Sequence, residues 1–486
     1  MNTEILQLEP KALWKHFSDL NAVPRPSKQE ERVIAFMIDF AKSLNLEYKQ
    51  DKIGNVLIIK EASKGFENRK TVVMQSHLDM VHQKNNATDF DFNTQGIQMK
   101  IVEDWVKAKG TTLGADNGIG VATIMAVLAS TKIKHPKVEA LFTIDEETGM
   151  TGAQHLSNEL LTGEILLNLD TEEDDEICIG CAGGVDVTAQ RTYEEELTDD
   201  SKVGYKILVN GLEGGHSGIE IHKGLGNANK IMNRLLLNGY ENFGLRIHNI
   251  KGGSLRNAIP RESDAIVAID KVHQEAFELE IKLLAEVIGL EQNRMDPNLK
   301  IQIQPTQTPK KVMNLGVQEG ILKSIYAAHN GVYRMSPEIE NLVEASNNIA
   351  KVVIGNGNLK IDCLTRSSVE SSRNDVANSL RSAFELSGCE VSYGGEYPGW
   401  QPKRDSDILK IVDDTYFKLH SKRAHVMACH AGLECGIIGE HYPNMEMVSF
   451  GPTILGAHSP DERVSISSVQ KYWKLVLAVL EEIPVF

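Results

Sequence analysis

The stretch Val72-Val73-Met74-Gln75-Ser76-His77-Leu78-Asp79-Met80 leads apolar residues straight into a His-x-Asp pair. Such a run reads as a buried strand ending in ionisable side chains. Residues two apart in a strand point to the same side. His77 and Asp79 therefore either share a pocket, or Asp79 orients the imidazole of His77 from behind. A surface-loop histidine is the plain alternative, and the acids downstream weigh against it. Residues 138–144 form an apolar run that ends in Asp145-Glu146-Glu147, and residues 163–169 form another that ends in Asp170. Between them, Gly114-Ala115-Asp116-Asn117-Gly118-Ile119-Gly120 opens a helix that runs through Ala129. Its spacing is not Gly-x-Gly-x-x-Gly and it lacks a Walker lysine, which argues against a phosphate loop. Asp116 is either a helix cap or a carboxylate held stiffly enough to bridge two cations. One more histidine, His458, lies in the loop Gly456-Ala457-His458-Ser459-Pro460-Asp461-Glu462 near the C-terminus. Brought together, these groups could hold two metal ions.

The elements that must position them alternate strand, helix, strand, helix, strand from residue 55 to residue 170. That is the rhythm of a parallel sheet with right-handed crossovers, in which ligands collect at the carboxyl ends of the strands. His77, Glu146, Glu147 and Asp170 all sit at such ends. Two helices precede the sheet within residues 10–47, separated by Pro24-Arg25-Pro26, and Ser27-Lys28-Gln29-Glu30 fits a capping box for the second. Residues 83–100 read as loop or short hairpin. Cys178-Ile179-Gly180-Cys181 has CxxC spacing but no matching second pair, so buried small residues are the better reading than structural zinc. From about residue 187 the style changes to α+β, in two stretches of similar make-up. His216, flanked by glycines, is either a loop histidine or one that glycine allows to approach a substrate closely. Tyr393-Gly394-Gly395-Glu396-Tyr397-Pro398-Gly399-Trp400 reads as a turn-rich boundary, after which the α/β style returns. The expected fold class is thus α/β, with a catalytic domain of residues 1–186 and 394–486 and an inserted α+β domain of residues 187–393.

The 486 residues exceed one ordinary core, in keeping with two domains. Hydrophobic content of 41% and charged content of 24% are those of a soluble globular chain. A net charge of -16 argues against nucleic acid or an anionic membrane as partner and suits cation binding. No apolar run approaches a membrane span of roughly 18 residues, and Met1-Asn2-Thr3-Glu4 does not resemble a signal peptide. Six cysteines make no disulfide framework. The cytoplasm is the expected compartment.

Taken in order, Ser76-His77-Leu78-Asp79, Gly114-Ala115-Asp116-Asn117-Gly118, Asp145-Glu146-Glu147, Asn168-Leu169-Asp170, Gly215-His216-Ser217-Gly218, Asn257-Ala258-Ile259-Pro260 and Gly456-Ala457-His458 resemble the di-zinc peptidase family of carnosinases, aminoacylases and glutamate carboxypeptidases. Cys429-His430-Ala431-Gly432-Leu433-Glu434 extends the likeness toward its dipeptidases. The resemblance implies a di-zinc exopeptidase-like catalytic domain with a mixed, largely parallel sheet and an inserted lid and dimerisation domain. It implies two Zn2+ per chain, with Co2+ or Mn2+ as possible substitutes. His77 and Asp170 would hold one ion, Glu147 and His458 the other, and Asp116 both. Hydroxide between the ions would be the nucleophile, Glu146 the general base, and Asp79 the residue that orients His77. His216 would stabilise the oxyanion, and Asn257, Arg366 and Gly432 would bind substrate. A cis peptide between Asp116 and Asn117 is implied too. Thr365-Arg366-Ser367-Ser368 departs from the Arg-Tyr-Pro of many relatives but keeps the arginine.

The chemistry asks for such residues independently. Bound zinc lowers the pKa of water from 15.7 to about 7, and two ions about 3.5–4 Å apart need a shared carboxylate. Mixed His and carboxylate donors suit zinc, and guanidinium pairs bidentately with a carboxylate. The expected activity is hydrolysis of short unblocked dipeptides, including Xaa-His, by a cytoplasmic homodimer that takes no nucleic acid and no membrane as partner. A related aminoacylase, desuccinylase or tripeptidase would keep the same residues. A non-catalytic binding protein on this fold would lack a ligand or the base, and none is missing.

Overall fold

The computed structural model describes residues 4–485. Met1-Asn2-Thr3, part of the stretch read above for a signal peptide, lie outside the described residues. By its internal contacts the chain forms two compact units, one of residues 1–180, 402–428 and 433–486, the other of residues 181–401 and 429–432.

The first unit is built on an eight-stranded mixed sheet. Its central strand, Val72–His77, is buried along its whole length. It pairs in parallel with Val138–Thr143 on one side and Ile165–Asn168 on the other. A strand covered on both faces reads as a continuous apolar run rather than an alternating one, as here. Glu446–Ser449 adds a further parallel pairing beside Ile165–Asn168, while Val56–Lys60 joins Val138–Thr143 antiparallel. Register sets the functional end: Val72 lies opposite both Val138 and Ile165. Val72–His77 and Val138–Thr143 therefore finish together, Ile165–Asn168 ends two residues earlier with Asp170 just beyond it, and the acids that follow emerge at one edge.

The helix Ala115–Ala129 is apolar all round and buried from Asn117 to Leu128, as a helix inside a core must be. A second, four-stranded sheet pairs Ile454–Leu455 with Arg463–Ser465, and the latter with Trp105–Ala108. The loop between the first two strands carries His458 and Glu462. Ser465 caps the closing helix Ile466–Glu482 by accepting from Ser468 N at 3.2 Å.

The second unit holds a nine-stranded antiparallel sheet. One side of it runs in the order Val343–Gly355, Asn358–Ser367, Gly183–Thr192 and Glu390–Tyr397. The helices Ala228–Phe243, Gln274–Gln292, Leu315–Ala327 and Glu370–Glu385 bury Leu235, Phe277, Ile321 and Phe384 with it in one core.

Two local expectations need correction. The stretch read as a turn-rich boundary is mostly the edge strand Glu390–Tyr397, which pairs with Gly183–Thr192 and slips register between Gly394 and Tyr397. Gly395, at φ +54°, supplies the irregularity. The capping box does not form either. Ser27 Oγ donates to Asp79 Oδ2 at 2.8 Å, and the helix Glu31–Ser43 has no side-chain cap. The helix begins only at Glu31, so Ser27 does not stand at its N-cap, and its hydroxyl is drawn to a buried carboxylate instead of accepting from a helix amide. Among the described residues no helix is long and apolar enough to cross a membrane.

Candidate active site

His77 ends the central strand, with Nε2 3.1 Å from Asp116 Oδ1 and 3.5 Å from Asp170 Oδ1. His458 Nε2 lies 2.9 Å from Glu147 Oε2 and 3.3 Å from Asp116 Oδ2. Asp116 thus offers one oxygen to each histidine. His77, Asp116 and Asp170 form one group with ligand atoms within 4.8 Å of one another, and Asp116, Glu147 and His458 form another. The two share Asp116. All five residues expected from sequence to hold metal therefore converge, although they span most of the chain.

The backbone around Asp116 is unusual and heavily held. The Asp116–Asn117 peptide is cis. The Glu462 carboxylate accepts from the backbone N–H of Leu113 at 2.6 Å, Gly114 at 3.0 Å, Ala115 at 2.7 Å and Asp116 at 3.3 Å. Asn117 Nδ2 donates to Leu169 O at 2.8 Å and to the Asp170 carboxylate. Arg25, fully buried, donates from Nη1 to the carbonyls of Leu78 and Asp79, each at 3.0 Å, and from Nη2 to that of Gly114 at 2.6 Å. One guanidinium therefore ties the turn after His77 to the turn before Asp116. Gly114 is required here: its φ is +69°, and a Cβ would stand 2.5 Å from Arg25 Nη2.

Asp79 works from behind His77. Its Oδ1 lies 3.4 Å from His77 Nδ1 and accepts from Glu146 N at 3.1 Å, while Oδ2 accepts from Glu147 N at 3.3 Å. One buried carboxylate thus stands beside the imidazole and accepts from the backbone of the two glutamates. Asp145 just before them adopts a left-handed φ of +55° and takes Lys28, Thr148 and Thr151 as partners.

The electrostatics show what the residues lack. Burial pulls the His77 imidazole down, but Asp170 and Asp116 outweigh it and hold the pKa well above the ordinary value. Hydrogen bonds to Asp116 and Glu147 push His458 up to about 11. Burial raises Asp116, yet bonds from His458 and His77 hold it below the carboxylate range. Burial, then repulsion from Asp116, raises Glu147, and burial raises Asp170. Glu146 is pushed well up by burial, with Asp170 and Glu147 adding to it against His77. In this arrangement protonated histidines serve as the cations for crowded acids. Glu147 Oε1 is buried without a partner. Imidazole nitrogens and carboxylate oxygens in two groups around a shared aspartate are a donor set that fits two divalent cations.

Sequence reading missed part of this site. Arg25, Glu462 and the wholly buried Glu434 were not singled out. Glu434 accepts from Thr143 Oγ1 at 2.6 Å and Gln75 Nε2 at 2.7 Å, and burial pushes it up to about 7. Glu172 is pushed up to about 8, by burial and then by Asp116 and Asp170. Acids this common in the sequence give no signal until the fold shows which are buried. Cys178 and Cys181 lie buried in the strand Glu176–Cys181 and belong to no candidate metal group among the described residues.

The remaining expected residues lie in the second unit. His216 sits in the two-residue strand Gly215–His216, paired with Ala258–Ile259. Its Nδ1 accepts from the backbone N–H of Gly218 at 3.2 Å and of Ile219 at 3.1 Å, which leaves Nε2 to carry the proton and donate. Asn257 is exposed and adjoins it, with its carbonyl accepting from Ser217 N at 2.8 Å. Arg366 is buried and donates to the Tyr397 hydroxyl. Gly432 is half-buried and follows Ala431, whose carbonyl accepts from Ala182 N at 3.0 Å.

A mixed sheet whose parallel strands end in two histidine–carboxylate groups around one shared aspartate belongs to the class of metal-dependent hydrolases. The family model described as peptidase family M20/M25/M40 matches residues 73–482, and the chain belongs to that family. It is 42% identical over 482 residues to the cytosol non-specific dipeptidase of Escherichia coli K12, covering 99% of each chain. It is likewise 42% identical to the aminoacylhistidine dipeptidase of Vibrio alginolyticus, whose crystal structure it matches with a TM-score of 0.92 over 99% of this chain and 98% of that one. An aminopeptidase from Bacillus cereus, 16% identical, matches with a TM-score of 0.58 over 98% of this chain and 99% of that one, and shares the fold.

Two outcomes are expected. Glu462→Ala leaves four backbone N–H groups without their acceptor, which should cost about 3 kcal/mol of stability. It should also weaken metal binding by about 10–100-fold. Thermal melts and a chelator competition read both, and wild-type values in each would refute the positioning role. His216 is pushed down to about 4 by burial and then by Arg366. Its folded pKa lies below the unfolded value of about 6.5, so its contribution to stability is fully present above about that pH and is lost as pH falls toward about 4. NMR should show a neutral imidazole with Nε2 protonated between pH 5.5 and 8. A titration midpoint near 6.5 would contradict it.

Proposed function

We propose that the chain is a metal-dependent dipeptidase that hydrolyses short unblocked dipeptides, including those ending in histidine, with two zinc ions as its cofactors. The observation that carries this reading is the pair of donor groups sharing Asp116, with Glu146 beside them and engaged in no ion pair among the described residues. The names of the Escherichia coli and Vibrio relatives support the substrate class. In this reading His77, Asp116 and Asp170 hold one ion and Asp116, Glu147 and His458 the other; Co2+ or Mn2+ would suit the same donors. The bound ions would acidify water and polarise the scissile carbonyl.

The chain's own residues do the rest. Glu146 takes the proton of the attacking water and returns it to the amine nitrogen that leaves. Asp79 keeps the His77 ring in place and fixes the Glu146 and Glu147 backbone. His216, neutral and with Nε2–H as donor, serves the developing oxyanion. Arg366 receives the C-terminal carboxylate of the substrate, and Asn257 and Gly432 assist in binding it.

We assign substrate recognition and dimerisation to the second unit, expected from sequence at residues 187–393. An apolar row on the helix Gln274–Gln292 supports the assembly: Leu279, Leu283, Val287 and Leu290 stand exposed at helical spacing, opposite the buried Phe277, Ile281 and Ile288. A second copy of the chain would cover that row. The cytoplasm named for the Escherichia coli relative is the compartment proposed here, and recovery from another cell fraction would count against it.

Hydrolysis of a dipeptide panel should disappear on chelation and return with zinc. Glu146→Ala should keep both ions yet lose about 10²–10⁴-fold or more in kcat with KM little changed. Glu147→Ala should instead lose one ion, with part of the activity restored by excess zinc, because mass action replaces a weakened ligand but not a missing base. Zinc content and kcat across a zinc titration distinguish these; the opposite pattern would exchange the two roles. Leu283→Glu should shift the chain to monomer in sedimentation. An unchanged dimer would rule out this helix face as the interface.

A further inference from the structure

Arg366 is 4% exposed, yet no carboxylate of the described residues pairs with it. Its Nη1 donates to the Tyr397 hydroxyl at 2.6 Å, and its Nε is buried without a partner. A buried cation left without an anion is costly unless a ligand supplies one.

The way Tyr397 reaches Arg366 is written in the sheet register. Arg366 lies opposite Gly184, and Gly184 lies opposite Tyr397 on the other side. Arg366 and Tyr397 therefore stand on one face with a single strand between them. Gly184 leaves that strand bare at the crossing: a Cβ there would stand 2.5 Å from Cε1, Cζ and the hydroxyl oxygen of Tyr397. The glycine is a window through which phenol and guanidinium meet. Arg373 Nη1 donates to the Tyr397 carbonyl at 3.0 Å and holds its backbone.

The row continues on the far side with neutral groups. Ser346 lies opposite Arg366, and its Oγ is 2.7 Å from His430 Nε2. His430 is pushed down to about 3 by burial and then by Arg366 and His216, so it is uncharged. Ser217 Oγ is buried without a partner. Arg366 is thus the only charge of this row, framed by hydroxyls.

We propose that Tyr397 is a specificity-determining residue that makes a free C-terminal carboxylate a requirement for binding. The phenol oxygen accepts from Arg366 Nη1, so its own O–H proton is free to donate to the carboxylate that Arg366 receives. Two donors then converge on one anion, and a neutral carboxamide forfeits the charge that pairs with Arg366 and strengthens the bond from the phenol. This rests on the dipeptidase reading for the identity of the ligand, and on the strand register for the geometry.

The test uses the metal-loaded full chain and a dipeptide isostere with CH2–NH in place of the scissile amide, prepared as free acid and as carboxamide. Calorimetric titration should show the wild type preferring the acid by more than about 10-fold. Tyr397→Phe, which keeps the ring and its packing, should narrow that preference by about 10-fold, with unchanged metal content and unchanged affinity for the carboxamide. A preference as large as in the wild type, equal losses for acid and carboxamide, or no wild-type preference would each overturn the proposal. Hydrolysis of the parent dipeptide is scored separately. If the wild type selects the acid isostere through Tyr397 but cleaves no dipeptide, the activity reading fails and the carboxylate selection stands.

Discussion

Asp116 must present its two oxygens to two histidines drawn from opposite ends of the chain, and the first unit is arranged around that demand. A carboxylate in this position would be pulled away by any flexibility in its loop. The loop is accordingly clamped from both sides, by Glu462 accepting from its amides and Arg25 donating to its carbonyl. These clamps are charged groups bonded to backbone, stronger than neutral pairs, and they act on the turns rather than on the reactive side chains. The side chains stay free for ligands while their origins are held.

Crowding acids in a buried place has an electrostatic cost that the protein offsets locally with protonated histidines. The same imbalance is what makes the cluster attractive to cations. Arg25, a buried cation beside these turns, hydrogen-bonds to backbone carbonyls and the Asn21 side chain and to no carboxylate. Asp79 is protected from the imbalance by a dense set of donors: the Ser27 hydroxyl and the amides of Glu146 and Glu147, with the His77 ring beside it. Against the pull of burial, these contacts hold its pKa below the ordinary carboxylate value.

The second unit has the reverse imbalance. Arg366 is a buried cation without an acid, and the residues beside it are neutral: His430 by burial, Ser346 and Tyr397 by nature. The first unit crowds buried acids around two histidines, and the second holds Arg366 buried without an acid partner among the described residues. Each deficit names the kind of ligand it can take, a divalent cation in the first and a carboxylate in the second.

Much of the first unit's site was legible in the residue order alone. Apolar runs ending in His77, Glu146–Glu147 and Asp170 carry their meaning locally, because a parallel strand buried on both faces has only its carboxyl end to offer chemistry. Asp116 and His458 were legible through motif resemblance, since neither lies at the end of a parallel strand. The capping role expected of Ser27 and the turn-rich reading of Tyr393–Trp400 failed for one reason: the partner that decides each lies far away in sequence. Ser27 is taken by Asp79, and residues 390–397 are drawn into a strand by residues 184–190. What the sequence by itself determined was the set of chemical groups and the strand ends that carry them, because side-chain type and hydrophobic period are local properties. Which acids become buried, which cation stays unpaired, and that a glycine in one strand lets an arginine and a tyrosine from its two neighbours meet were decided only by tertiary structure. Burial and register are relations between distant segments, and no single stretch of sequence contains them.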